Sequence, residues 1–80
     1  MDYEEAEKIL ARVVDTLRRE RERQELPKLR LEQLAGISRR AIGMIESGER
    51  SPTLISCLRI ADALDLDLAK VLRDAKKASR

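Results

Sequence analysis

The stretch KLRLEQLAGISRRAIGMIES, residues 28–47, carries the strongest structural signal in this chain. Leu31 can anchor a short helix, Ala35 permits the close approach of a neighbouring helix, and Gly36 tolerates the positive φ of a tight turn. Apolar residues follow in the corner after the turn and at helical spacing beyond it: Ile37, Ile42 and Ile45. This order predicts two short helices that pack together across a tight turn.

A long helix is predicted on the N-terminal side of this stretch, from about Asp2 to Glu25. Its apolar residues recur in steps of three and four, which puts them on one helical face: Ile9, Leu10, Val13, Val14 and Leu17. Asp2 is suited to cap the first turn, and Pro27 ends the helix because it disfavours the α conformation at the preceding residue. The second helix is predicted over Pro27–Ala35. Its inner face is predicted to consist of Leu31, Leu34 and Ala35.

The third helix is predicted over Arg39–Ser47, with Ser38 as its N-cap. A fourth helix is predicted to start with Ser51 as cap and Pro52 at the first helical position, and to run to about Leu64. Its buried stripe is predicted to be Leu54, Leu58, Ala61 and Leu64, with Cys57 beside it.

A fifth helix is predicted over about Leu68–Ala75, capped by Asp67, with residues 76–80 as a frayed tail. No alternating strand pattern, repeat or low-complexity linker interrupts this order. We therefore expect an all-α fold of five helices with an extended first helix, forming a single domain over residues 1–80.

The composition narrows the functions that such a domain can have. Hydrophobic residues make up 42% of the chain and charged residues 40%, a mix that favours a folded domain over intrinsic disorder. One Tyr and no Phe or Trp leave an aliphatic core. Proteins that hold single-stranded nucleic acid usually stack bases on aromatic rings, so that class is disfavoured, whereas a reader of duplex DNA needs no such rings.

Charge is distributed unevenly along the chain, although the net charge is only +2. Residues 1–16 carry two basic and five acidic side chains, residues 17–50 carry nine and six, and residues 51–80 carry six and four. A basic middle suits a protein that turns one face towards phosphates. Glu and Arg at helical spacing also form ordinary surface pairs, so the charge pattern alone leaves a solvated surface as an alternative.

Several kinds of site are not expected. The chain has no His, and its single Cys57 forms neither a metal-ligand cluster nor an intramolecular disulfide. No base is available to activate Ser or Cys57, so no enzyme, metal or cofactor is predicted, and no small-molecule ligand is indicated. No apolar run approaches the roughly 18 residues of a membrane span, and the acidic N-terminus does not resemble a signal peptide. A cytoplasmic protein is expected.

The third helix carries the candidate base-reading residues Arg39, Arg40, Gly43 and Met44. Arginines at a helix N-terminus oppose the helix dipole, an unfavourable placement that a nearby polyanion would offset. Arginine also bonds bidentately to guanine in the major groove. Gly43 lets the helix backbone approach DNA, or alternatively packs against another helix. Met44 suits contact with a thymine methyl group.

A family resemblance rests on the stretch IGMIESGERSPTLISCLRIADAL, residues 42–64, together with the preceding turn. From Leu17 to Leu66 the chain resembles the Cro/repressor-type (XRE) helix-turn-helix family without gaps. The resemblance implies a five-helix, lambda-repressor-like domain with its helix-turn-helix core at residues 28–47. It also implies binding to B-form DNA as a dimer, with helix 39–47 in the major groove.

The resemblance implies further residue roles. A set of basic and hydroxyl side chains would contact DNA phosphates: Lys28, Ser38, Arg50, Ser51 and Thr53. Arg21 and Glu46 would form a structural ion pair between the first and third helices.

Glu32 departs from the family pattern, which usually has Ala there, and Lys28 stands where Gln is common. We therefore expect either a slight rotation of helix two or a Glu32 side chain that reaches solvent or Arg40. In an alternative register, Leu34-Ala35 forms the family's Leu-Ala pair and the turn is three residues shorter.

Homodimerisation is expected because operators are usually palindromic and one module makes few contacts. The predicted dimer interface comprises Leu66, Leu68, Val71 and Leu72. The alternative surface comprises Tyr3, Ala6 and Leu10, and for each set ordinary core is the other interpretation. The predicted function is a sequence-specific transcriptional regulator that binds double-stranded DNA. The alternative is a helical protein-interaction module, antitoxin-like or an adaptor, with weak or no DNA binding.

Overall fold

A computed structural model describes residues 1–79, and within that range the chain forms five α-helices and no strand. The helices are α1 Tyr3–Arg23, α2 Lys28–Ala35, α3 Arg39–Ser47, α4 Leu54–Ala63 and α5 Leu68–Ala78. The all-α, five-helix prediction is confirmed, including the extended first helix, which is about 31 Å long at 1.5 Å per residue.

The core is built from thirteen buried apolar residues contributed by all five helices. Helix α1 packs on α5 and α3, and α2 packs on α3 and α4. The largest side chains that are fully buried are Val13, Leu31, Ile42 and Leu64. Leu31 and Ile42 are among the residues predicted to pack the two short helices together across the turn. Burial of such side chains is the main term that holds a small domain of this kind together.

Helices α1 and α4 both end with a non-glycine residue in the left-handed conformation. Glu25 has φ 54°, and the Leu26 N–H donates to the Arg21 carbonyl at 3.0 Å. Asp65 has φ 59°, and the N–H of its neighbour Leu66 donates the corresponding hydrogen bond at the end of α4. These bonds satisfy carbonyls at the helix ends and turn the chain back on itself.

The side chain of Gln24 links these two ends, because its amide donates to the Leu64 carbonyl at 2.8 Å.

Three boundaries differ from the sequence-based prediction. Helix α4 begins at Leu54 rather than Pro52, because Thr53 and not Ser51 accepts the capping hydrogen bond from Ser56. Helix α5 continues to Ala78, so the predicted tail is helical there; Arg80 lies outside the described residues. Pro27 is the N-cap of α2 rather than its first residue.

Three predicted core positions are wrong. Leu34, Leu54 and Leu58 are exposed. The buried stripe of α4 is instead Cys57, Ile60, Ala61 and Leu64. Ala61 and Leu64 are buried as predicted, whereas Cys57 and Ile60 are buried in place of Leu54 and Leu58.

Candidate nucleic-acid interface

The turn between α2 and α3 depends on the backbone conformation of Gly36. Its φ is 70°, and its N–H donates to the Glu32 carbonyl at 2.9 Å to close the end of α2. The Arg59 guanidinium from α4 also lies where a Cβ on residue 36 would project. A side chain here is disfavoured by the backbone conformation, whereas the flexible end of Arg59 can move aside.

Helix α3 has one face in the core and one face directed outward. Ser38 caps it by accepting a hydrogen bond from the Ala41 N–H at 3.1 Å, as predicted from the sequence. Ile42 and Ile45 are buried, so the helix is held against the rest of the domain. The turn and both helix ends agree with the ungapped register and not with the shorter turn.

The four candidate base-reading residues lie at spacing i, i+1, i+4 and i+5 along α3, on the side away from the core: Arg39, Arg40, Gly43 and Met44. The side chains of Arg39 and Arg40 are exposed, and Met44 is half-buried. None of these side chains is enclosed by other parts of the domain. The outward face of α3 is therefore open to a partner.

Gly43 has open space beside it. A Cβ built on Gly43 would meet only the Lys28 ammonium, at 3.9 Å. Close packing against another helix, one of the two explanations for this glycine, therefore does not apply within the described residues 1–79. The same distance shows that the Lys28 ammonium lies beside the outward face of α3.

The remaining candidate phosphate contacts lie on exposed positions around α3, and two of them also cap helices. The hydroxyls of Ser38 and Thr53 cap helices α3 and α4. Arg50 and Ser51 are exposed in the loop after α3. The Arg50 N–H donates to the Met44 carbonyl at 3.1 Å, which holds this loop close to the end of α3.

Arg21 and Glu46 form a bidentate ion pair between α1 and the end of α3. The Arg21 Nε and Nη2 atoms lie 2.7 and 2.9 Å from the two Glu46 oxygens, and both side chains are 12% exposed. Arg21 also donates to the Leu26 carbonyl at 2.9 Å. The hydrogen bond to Glu46 raises the pKa of Arg21 above its ordinary value. The pair fixes the C-terminal end of α3 on the rest of the domain.

Glu32 occupies a place that the sequence did not indicate. Its carboxylate accepts a hydrogen bond from the Arg39 backbone N–H at 2.7 Å, and its second oxygen lies 4.0 Å from the Arg39 Nε. The side chain reaches solvent in part, being 34% exposed, and its bonded partner is Arg39 rather than the expected Arg40. The residue spacing alone could not reveal this contact, because it depends on how α2 crosses α3.

The predicted dimer residues are divided between the core and the surface. Leu68 and Val71 are buried, so these two are corrected to core residues of the single chain. Leu66 is half-buried against the core, and Leu72 is exposed. The alternative set is more open, with Tyr3 and Ala6 exposed and Leu10 half-buried. A separate exposed apolar face lies on α4 and comprises Leu54, Ile55 and Leu58.

Three further observations concern metal ligands, the Cys57 thiol and membrane spans in the described part of the chain. Residues 1–79 contain no group of three or more potential metal ligands. Cys57 is buried, and this burial raises the pKa of its thiol, which keeps it in the less nucleophilic protonated form. Within the same range, no helix is long and apolar enough to cross a membrane.

Comparison with known families gave one match. A family model described as helix-turn-helix matches residues 17–71, which is 55 of the 80 residues. No curated protein and no solved structure matches the chain. The matched range contains α2, the turn, α3 and α4, and it leaves out the first fourteen residues of α1.

Proposed function

The chain belongs to the Cro/repressor-type helix-turn-helix family of DNA-binding regulators, and we propose that it is a sequence-specific transcriptional regulator that inserts α3 into the major groove of double-stranded DNA. The observation that carries this proposal is the outward face of α3, where Arg39 and Arg40 are exposed while Ile42 and Ile45 anchor the opposite side. The N-terminal part of such a helix meets base edges in the major groove.

Phosphate contacts support docking of this face. Lys28 lies beside Gly43, and Arg50 follows α3 in a loop that is bonded back to it. In our proposal these cations flank α3 and bind phosphates, with Ser38, Ser51 and Thr53 as further phosphate contacts. Such contacts set the orientation on the duplex, and the base contacts of Arg39, Arg40, Gly43 and Met44 supply specificity.

We further propose that two copies bind a palindromic operator. The exposed face of α4 is a better candidate for the dimer interface than the helix-five set, of which two residues are buried. Residues 53–58 contain no charged side chain, and Arg59 and Asp62 border them. An apolar centre depleted of charge, with a charged rim, is the usual composition of an interface core. A second copy of the chain is the occupant that a two-fold operator requires.

The proposed role involves no catalysis and no cofactor, and it takes place in the cytoplasm, on the nucleoid when the protein is bound to DNA. The buried Cys57 supports a reducing compartment, because the chain uses this thiol in its core rather than in a disulfide.

Selection of bound sites from a random duplex pool tests the proposal. We expect a palindrome whose half-sites are about one helical turn apart, occupied by two chains in analytical ultracentrifugation. Binding should weaken steeply with salt, with a slope of about −0.9 in log affinity against log salt for each phosphate neutralised. Failure to enrich any sequence, with no binding to random duplex even at low salt, would reject the proposal.

The exposed apolar face of α4 also favours the second candidate, a protein-interaction module without DNA binding. In that case Leu54, Ile55 and Leu58 would bind a different protein, and α3 would have no nucleic-acid ligand. The low-salt measurement on random duplex separates the two candidates.

The substitution Gly43→Ala is expected to change stability and binding in opposite directions. Because a Cβ at this position would clash with no neighbouring atom, alanine should raise the free energy of unfolding by about 1 kcal/mol. The added methyl group should weaken binding to the selected duplex by about tenfold, or about 1.4 kcal/mol, if the helix backbone approaches the bases. Thermal melting and fluorescence polarisation measure the two effects.

Ser47→Ala is the matched control for Gly43→Ala, because it lies at the exposed end of the same helix, outside the predicted contacts. It should leave the affinity unchanged. Equal affinity of the Gly43→Ala variant and the wild type would argue against backbone approach at Gly43.

A further inference from the structure

We propose that Glu32 is a positioning residue for Arg39, and that it increases discrimination between operator and non-specific DNA by competing with phosphates for the Arg39 side chain. This inference rests on the proposed function and adds a residue from α2 to the determinants of specificity. It is based on the Glu32 side chain, which accepts a hydrogen bond from the N-terminus of α3.

The Glu32 carboxylate is held in a defined position. One oxygen accepts the Arg39 N–H at 2.7 Å, a charge-assisted hydrogen bond at a helix N-terminus, where a negative charge is favoured. The other oxygen lies 4.0 Å from the Arg39 Nε. One oxygen is therefore bonded to the Arg39 backbone, and the other lies near the Arg39 guanidinium without a hydrogen bond to it.

The Arg39 side chain nevertheless remains free to meet DNA. It is 60% exposed, whereas the Glu32 side chain is 34% exposed. At 4.0 Å the ion pair contains no hydrogen bond, so the guanidinium can turn towards a ligand without breaking one. Arg40, the neighbouring cation on this face, makes no salt bridge within the described residues.

A fixed carboxylate affects phosphates and bases differently. A phosphate that approaches the Arg39 guanidinium is an anion and is repelled by the Glu32 carboxylate near that guanidinium. A guanine edge is neutral and presents the N7 and O6 acceptors to the guanidinium, so it makes its bidentate contact without that repulsion. Glu32 should therefore penalise non-specific binding, which is carried by phosphates, more than operator binding.

The test compares Glu32→Gln with the wild type on two probes, the duplex selected from the random pool and a random-sequence duplex of equal length. Glutamine keeps an oxygen for the Arg39 N–H but removes the charge. We expect affinity for the random duplex to rise about two- to fivefold, the range of an exposed ion pair. Its salt slope should steepen by up to about 0.9. The specificity ratio should fall accordingly.

Three further variants show whether Glu32 acts through Arg39. Glu4→Gln adds the same unit of charge at an exposed position on α1 and should leave the specificity ratio unchanged. In an Arg39→Ala background, adding Glu32→Gln should change the ratio less than twofold, because no guanidinium remains to be held. Glu32→Ala removes the carboxylate through a side chain of a different shape and should also lower the specificity ratio. The melting temperature of each variant shows whether it is folded.

An unchanged ratio in both Glu32 variants would overturn the inference, and so would an equal fall in the Glu4→Gln protein or in the Arg39→Ala background. If the wild type binds neither duplex, the proposed function fails as well. If the wild type binds selectively while the Glu32 variants match it, only the role of Glu32 fails.

Discussion

Replacing Leu31 with alanine is expected to lower the free energy of unfolding by about 3–4 kcal/mol, a large part of the stability of an 80-residue domain. Leu31 is 1% exposed and is the largest side chain that α2 contributes to the core. Its truncation leaves a cavity beneath the turn, because α3 and α4 both pack on α2. Urea unfolding followed by circular dichroism measures the loss.

Leu34→Ala is the matched control, since it makes the same chemical change on the same helix. Leu34 is 48% exposed, so its truncation should cost less than about 1 kcal/mol. If the two variants lose similar stability, the orientation of α2 described above is incorrect.

Replacing Arg21 with alanine is expected to destabilise the domain by about 3 kcal/mol and to lower the melting temperature by about 12–24 °C. The substitution leaves the Glu46 carboxylate largely buried without its partner, and the Leu26 carbonyl loses a donor. Most of the cost comes from this unpaired charge, because burying an ion without compensation is unfavourable. Differential scanning calorimetry measures the shift.

Two comparisons identify the cause of that loss. Arg19→Ala removes an arginine from an exposed ion pair on the same helix and should change stability by less than about 1 kcal/mol. The double substitution Arg21→Met with Glu46→Leu should recover much of the stability, because it removes both charges. A melting temperature of Arg21→Ala equal to that of the wild type would show that the pair contributes nothing to stability.

The α4 stripe illustrates where reasoning from the sequence failed. Apolar residues lie on several sides of this helix, and both Leu54-Leu58-Ala61-Leu64 and Cys57-Ile60-Ala61-Leu64 have helical spacing. Periodicity therefore identified a helix but not the direction that faces the core, which depends on α2 and α5. The same limit explains Leu68 and Val71, which were assigned to a dimer interface although α5 packs its apolar side on α1 within one chain.

Local signals were read correctly because their causes lie within a few residues. Gly36 has the positive φ that the turn needs, and Pro27 follows the end of α1. Ser38 and Asp67 cap their helices. Each of these boundaries follows from steric limits and nearby hydrogen bonds. Other contacts, such as Glu32 against the start of α3 and Thr53 in place of Ser51 as a cap, follow from how the helices cross and how the loops close. Residue order alone does not specify those geometries, because several arrangements satisfy the same spacing and only packing of all five helices selects one.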